Sequence, residues 1–78
     1  MEHEDASLVG YLKYRGLEIS VKKSQNPGRI VFSIDGDASF TEECVEDFYA
    51  NKEVKIRTYV QCFKDVKTLL YNMRKLGV

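Results

Sequence analysis

Over the last third of the chain, apolar residues recur at steps that a helix alone places on one side. Ile56, Tyr59, Phe63, Val66, Leu70 and Met73 stand 3, 4, 3, 4 and 3 residues apart, with Val60 and Leu69 beside the row. Alternating steps of three and four keep a single oily seam in register with the helical turn. The spacing predicts a helix from Lys55 to Leu76, about 30 Å long at 1.5 Å per residue. Val54, Ile56, Thr58, Val60 and Cys62 also alternate with period two. Helix is the reading, because the seam continues well past the point where that alternation stops.

A seam of this length has to be covered, and little chain is available to cover it. The sequence has 78 residues, which is one domain, 1–78. A domain this small buries only about 60% of the surface its unfolded chain exposes. Its core is thin, with roughly 3–5 kcal/mol of net stability expected. Residues 1–5 are polar and are expected to be frayed and disordered. From Ala6 to Arg15, Leu8, Tyr11 and Leu12 share a helical face, with Asp5 or Ser7 available as N-cap and Gly16 as the stop. Gly10 interrupts that helix at a cost of about 1 kcal/mol relative to alanine, which suggests close packing against another element.

Two stretches then alternate. Leu17, Ile19 and Val21 face one way in Leu17–Lys23, and Ile30, Phe32 and Ile34 do so in Arg29–Asp35. Pro27 and Gly28 lie between them, so the pair reads as an antiparallel hairpin closed by a turn over Ser24–Arg29. Asp37, Ser39 and Thr41 are all plausible caps for the next element, and Ser39-x-x-Glu42 has capping-box spacing. That element is a short acidic helix from Thr41 to Ala50, burying Cys44, Val45 and Phe48. Glu42, Glu43, Glu46 and Asp47 fall largely on its outer side. The fold class is therefore α+β: N-terminal helix, antiparallel β-hairpin, short acidic helix, long C-terminal amphipathic helix, with the last helix clasping the hairpin.

The order of these pieces, and the stretches YLKYRGLEI, GRIVFSID and EECVEDFYANKEVKIRTYVQCFKDVKTLLY, resemble a small domain family of phages, their hosts and other mobile elements. That family is characterised only as a domain of unknown function. Gly16, Val31-Phe32, Val45, Tyr49, Phe63, Asp65-Val66-Lys67 and Leu69-Leu70-Tyr71 carry the likeness, over residues 8–72. Val66 stands where the family pattern has leucine. The resemblance implies the element order and a viral or mobile-element origin. It implies no activity.

The residues offer catalysis little. His3 is the one histidine, and it lies in the expected frayed start, so no positioned Ser-His or Cys-His pair is foreseen. Asp35-Gly36-Asp37 begins like a calcium loop, but the residues after Asp37 do not keep that loop's pattern. There is no GxxxxGK or GxGxxG segment. Cys44 and Cys62 form no CxxC pair and sit among apolar neighbours, as buried small hydrophobes do. The expectation is a protein without enzymatic activity, cofactor or metal. An acidic start, few cysteines and no long apolar run point to the cytoplasm rather than to secretion or a membrane.

Charge is informative in its distribution. The formal net charge is zero. Residues 1–12 carry −3, 13–29 carry +4, 30–50 carry −6 and 51–78 carry +5. Alternating blocks of this kind are matched inside one fold or offered to partners of opposite sign. A protein-interaction module is the leading expectation, either a homodimer paired two-fold through the last helix or an inhibitor of a host factor. In the inhibitor reading, Glu42, Glu43, Glu46 and Asp47 would form the acidic partner face. The alternative is a nucleic-acid-binding accessory protein that uses the basic side of the last helix. Its contacts would be Arg57, Lys64, Lys67, Arg74 and Lys75, with Tyr71 free to stack on a base.

Overall fold

The computed structural model describes residues 1–24 and 29–75. The elements run β1 (Glu2–His3), α1 (Ala6–Tyr14), β2 (Glu18–Lys23), β3 (Ile30–Asp35), α2 (Ala38–Tyr49) and α3 (Ile56–Lys75). The α+β architecture is as read from the sequence, with one strand more. β2 and β3 pair antiparallel, from Glu18 opposite Asp35 to Lys23 opposite Ile30. The turn assigned to Pro27 and Gly28 lies outside the described residues, as does the expected helix end at Leu76.

The chain start, expected to fray, is paired instead. Glu2 stands opposite Ser33 and His3 opposite Phe32, so the sheet has three strands in the order β1-β3-β2. The Ile34 N–H donates to the Met1 carbonyl at 2.8 Å. Lys22 of β2 and Glu2 of β1 form an ion pair. Their strands flank β3, so the pair passes across its outer face. Val31 lies on that outer face and is nevertheless buried.

The other sheet face supplies Phe32 and Ile34 to a core completed by Leu8, Val9, Tyr11, Leu12, Leu17, Cys44 and Val66. The centre of that core is α1. Five consecutive residues, Leu8 to Leu12, are buried, where the spacing points to one covered face. A helix buried on all sides is apolar all round, and Val9 and Gly10 on its remaining sides meet that demand. α3 packs chiefly on α1 and only secondarily on β2. The expectation that the last helix clasps the hairpin is thus corrected: its seam closes on another helix. Gly10 is the reason. A Cβ placed there would lie 3.1 Å from Phe63 Cα, so glycine lets the two backbones approach this closely without either giving way.

Both early helices end in the same way. Arg15 caps α1, Gly16 follows at φ +97°, and the N–H groups of Gly16 and Leu17 donate to Lys13 O and Leu12 O. Ala50 caps α2, Asn51 follows at φ 60°, and Asn51 and Lys52 donate to Phe48 O and Asp47 O. This double closure satisfies carbonyls that a helix end otherwise leaves unpaired, and it needs a left-handed residue in the middle. At its start, α2 takes Asp37 as cap, its carboxylate accepting from Phe40 N–H at 2.9 Å. Asp37 outcompetes Ser39 and Thr41, so the helix begins at Ala38 rather than Thr41.

Candidate interaction surface

At its first turn α3 is fixed to α1 by two tyrosines. The Tyr14 hydroxyl accepts from Lys55 N–H at 3.0 Å, and the Tyr59 hydroxyl donates to Ser7 O at 2.9 Å. Burial raises the Tyr59 phenol above its usual range, with the Asp5 charge adding to it. These bonds set the rotation of α3 about its axis, and the rotation decides which residues meet solvent.

Val66 is fully enclosed, while Tyr59, Phe63, Leu70 and Met73 are half-buried along the seam. Two residues that spacing places with that seam are not covered. Ile56 is 72% exposed and Val60 is 41% exposed. At about 100° per residue, Ile56, Arg57, Val60, Lys64, Lys67, Tyr71, Arg74 and Lys75 fall within one arc of roughly 100°. They are the only residues of α3 in that arc. All eight are exposed, none is acidic, and they alternate cations with an isoleucine, a valine and a tyrosine. The six residues expected to contact nucleic acid are therefore gathered on one face, and two aliphatic side chains share it. Ile56, Arg57, Val60, Gln61 and Lys64 line a shallow groove of about 250 Å³ there. Lys67 lies over the Phe63 ring, 5.6 Å from its centroid, which fixes one cation against the helix. Arg74 also reaches a second cleft, of about 260 Å³, shared with Glu4, Arg29, Ile30, Phe32 and Leu70.

The acidic side divides. Glu42, Glu43 and Glu46 are exposed on α2. Asp47 turns inward, its Oδ2 2.7 Å from Arg15 Nη1, and contributes no open charge to that face. The same guanidinium donates to the Tyr11 hydroxyl at 2.8 Å and lies over the Phe40 ring at 5.4 Å. Asp47 and Tyr11 together hold its pKa above the usual arginine value. Tyr49, 68% exposed, stands on the outer side of α2 with Glu42 and Glu46. It follows Glu42 and Glu46 at i+7 and i+3, a helical spacing that the sequence already carries.

Cys44 is buried, and burial pushes its thiol pKa up against the opposing pull of Arg15. A thiol held protonated is a poor nucleophile. Cys44 and Cys62 are both free. His3 Nε2 is buried with no hydrogen-bond partner among the described residues. The segment after Asp37 is helical, so it does not wrap an ion as a calcium loop must. Among the described residues no His, Cys, Asp and Glu side chains cluster as metal ligands, and no helix is long and apolar enough to cross a membrane.

Fold and surface together define a small α+β domain that carries oppositely charged helical faces on a shared central helix. The chain belongs to the domain of unknown function family DUF5659, whose model matches residues 2–72. No curated protein and no solved structure matches it.

Proposed function

We propose that this chain is a non-catalytic protein-interaction module, of mobile-element origin and cytoplasmic, that works through the outer face of α3. The observation that supports this reading is the exposure of Ile56 and Val60 inside a row of cations. Aliphatic side chains cost solvation on an open helix and return it when a partner covers them. The partner this face fits has an apolar centre and an acidic rim. A host factor engaged by a mobile element is one such partner, which gives the module a blocking role.

Nucleic acid is the second reading, favoured by five cations with no carboxylate among them. Phosphates require the charges but make no use of Ile56 and Val60, so the protein partner is preferred. A photo-crosslinking residue at Val60, in the native host, separates the two. A protein adduct that disappears with Lys64→Glu is the expected result, and the same group at Thr58, exposed but outside the arc, gives none. Nucleic acid as the only adduct, or equal adducts from both positions, overturns the reading.

A further inference from the structure

The outer faces of α2 and α3 are chemical opposites. On α2, Glu42 and Glu46 share the outer side of the helix with exposed Tyr49 at its end, and Glu43 lies beside them. On α3, Arg57, Lys64 and Lys67 flank Ile56 and Val60. The domain has ion pairs elsewhere, at Arg15–Asp47, Lys22–Glu2, Arg29–Glu4 and Lys52–Asp47. None of the residues on these two faces joins an ion pair among the described residues. Each face thus carries one uncancelled sign of charge and its own apolar anchor, and the two faces belong to one polypeptide whose total charge is zero.

We propose that the α2 face of one copy docks on the α3 face of a second, head to tail. This rests on the α3 reading above and names its occupant. A two-fold pair through α3, the arrangement expected from the sequence, would set Arg57, Lys64 and Lys67 against their own counterparts. Like charges opposed across an interface disfavour it. It would also leave Glu42, Glu46 and Tyr49 uncovered. The head-to-tail contact sets opposite signs together and covers Tyr49, Ile56 and Val60. Because its two sides differ, each added copy presents a fresh face, so the association runs past the dimer unless the rotation closes a ring. Contacts between exposed charges are screened by salt, so the assembly is an ionic-strength-dependent one.

Sedimentation velocity across a concentration series, at low and at high salt, tests this on the full chain. The wild type is expected to gain mass beyond the dimer at low salt and to lose it at high salt. Lys64→Glu with Lys67→Glu, and separately Glu42→Lys with Glu46→Lys, should each weaken association by at least about tenfold. The first variant keeps an acidic α2 face and nearly cancels the charge of its α3 face; the second keeps a basic α3 face and loses the acidity of its α2 face. An equimolar mixture sets the native α2 face of one variant against the native α3 face of the other and is expected to recover mass at least to the mixed pair. Circular dichroism identifies any variant that fails to fold; Glu42→Gln with Glu46→Gln then replaces it, with the same direction of effect. A wild type that stays monomeric at low salt overturns the proposal. So does a closed dimer sensitive only to the α3 variant, or a mixture that fails to recover. In each of these cases the Val60 cross-link still tests the α3 face by itself.

Discussion

Arg15 Nη1 lies 2.7 Å from Asp47 Oδ2 and 2.8 Å from the Tyr11 hydroxyl, so one guanidinium ties the end of α1 to the last turn of α2. Both charged side chains are mostly shielded, at 25% and 17% exposure. Removing one partner leaves the other desolvated. Asp47→Ala is expected to cost about 2 kcal/mol in urea unfolding. Asp47→Asn keeps an acceptor and should cost less. An Asp47→Asn variant as stable as the wild type would show that the charge is irrelevant, and one that loses as much as Asp47→Ala would show that the neutral acceptor contributes nothing.

The approach of α1 to α3 depends on a missing side chain. Phe63 Cα would stand 3.1 Å from a Cβ at Gly10, and the Phe63 ring atom Cδ2 3.3 Å from it. Backbone cannot yield as a flexible side chain does. Gly10→Val should therefore destabilise by roughly 2–3 kcal/mol, against any gain in helix propensity. Thermal unfolding of the variant checks this; an unchanged midpoint would mean that the helices do not approach this closely.

Tyr59 makes stability sensitive to alkali. Its phenol has a raised pKa in the fold, mainly through burial, so the folded state keeps a proton that the unfolded chain has already released. The contribution is complete below the unfolded value near pH 10 and is lost as pH rises through the folded one. Tyr59→Phe should lose about 1 kcal/mol at neutral pH with the bond to Ser7 O. It should also flatten the alkaline limb of the stability curve. Parallel curves for wild type and variant would contradict the assignment.

Asp5 acts on the acid side. Its carboxylate accepts from the Ser7 hydroxyl at 2.7 Å and from Ser7 N–H at 3.0 Å, and the hydroxyl bond is the chief cause of its lowered pKa. A depressed carboxylate stabilises above its unfolded pKa, and the effect disappears as pH falls through the folded one. Asp5→Ala should cost about 1 kcal/mol near neutrality and make the acid limb shallower. Urea titrations at the two ends of that range are the measurement.

The parts of the fold legible in the sequence have periodicity long enough to register. The seam of α3 spans five turns, and the alternation of β2 and β3 fixes both faces of the hairpin. β1 has two residues, Glu2 and His3, too few for any pattern, and only β3 beside them makes a strand of them. Leu8-Val9-Gly10-Tyr11-Leu12 is apolar without a break, the mark of a helix enclosed on every side. Spacing alone assigns Ile56 to the core. At about 100° per residue, however, it stands at the edge of the seam beside the cations, and the structure leaves it uncovered there. The cations of α3 are legible for the same reason as its seam. The withdrawal of Asp47 from the acidic face is not, since it depends on where Arg15 comes to rest across the fold.

The central position of α1 has a consequence for how the molecule comes apart. α2 and α3 lean chiefly on this one helix, while the sheet meets both α1 and α3. Once α1 is withdrawn, α2 loses its main support and α3 keeps only its lesser contact with β2. Partial opening that removes α1 therefore leaves little to hold the rest, and cooperative disassembly is the expected outcome. The amide hydrogens of Val9 through Leu12 should then exchange with solvent only when the entire molecule lets go, at the slowest rate anywhere in the chain.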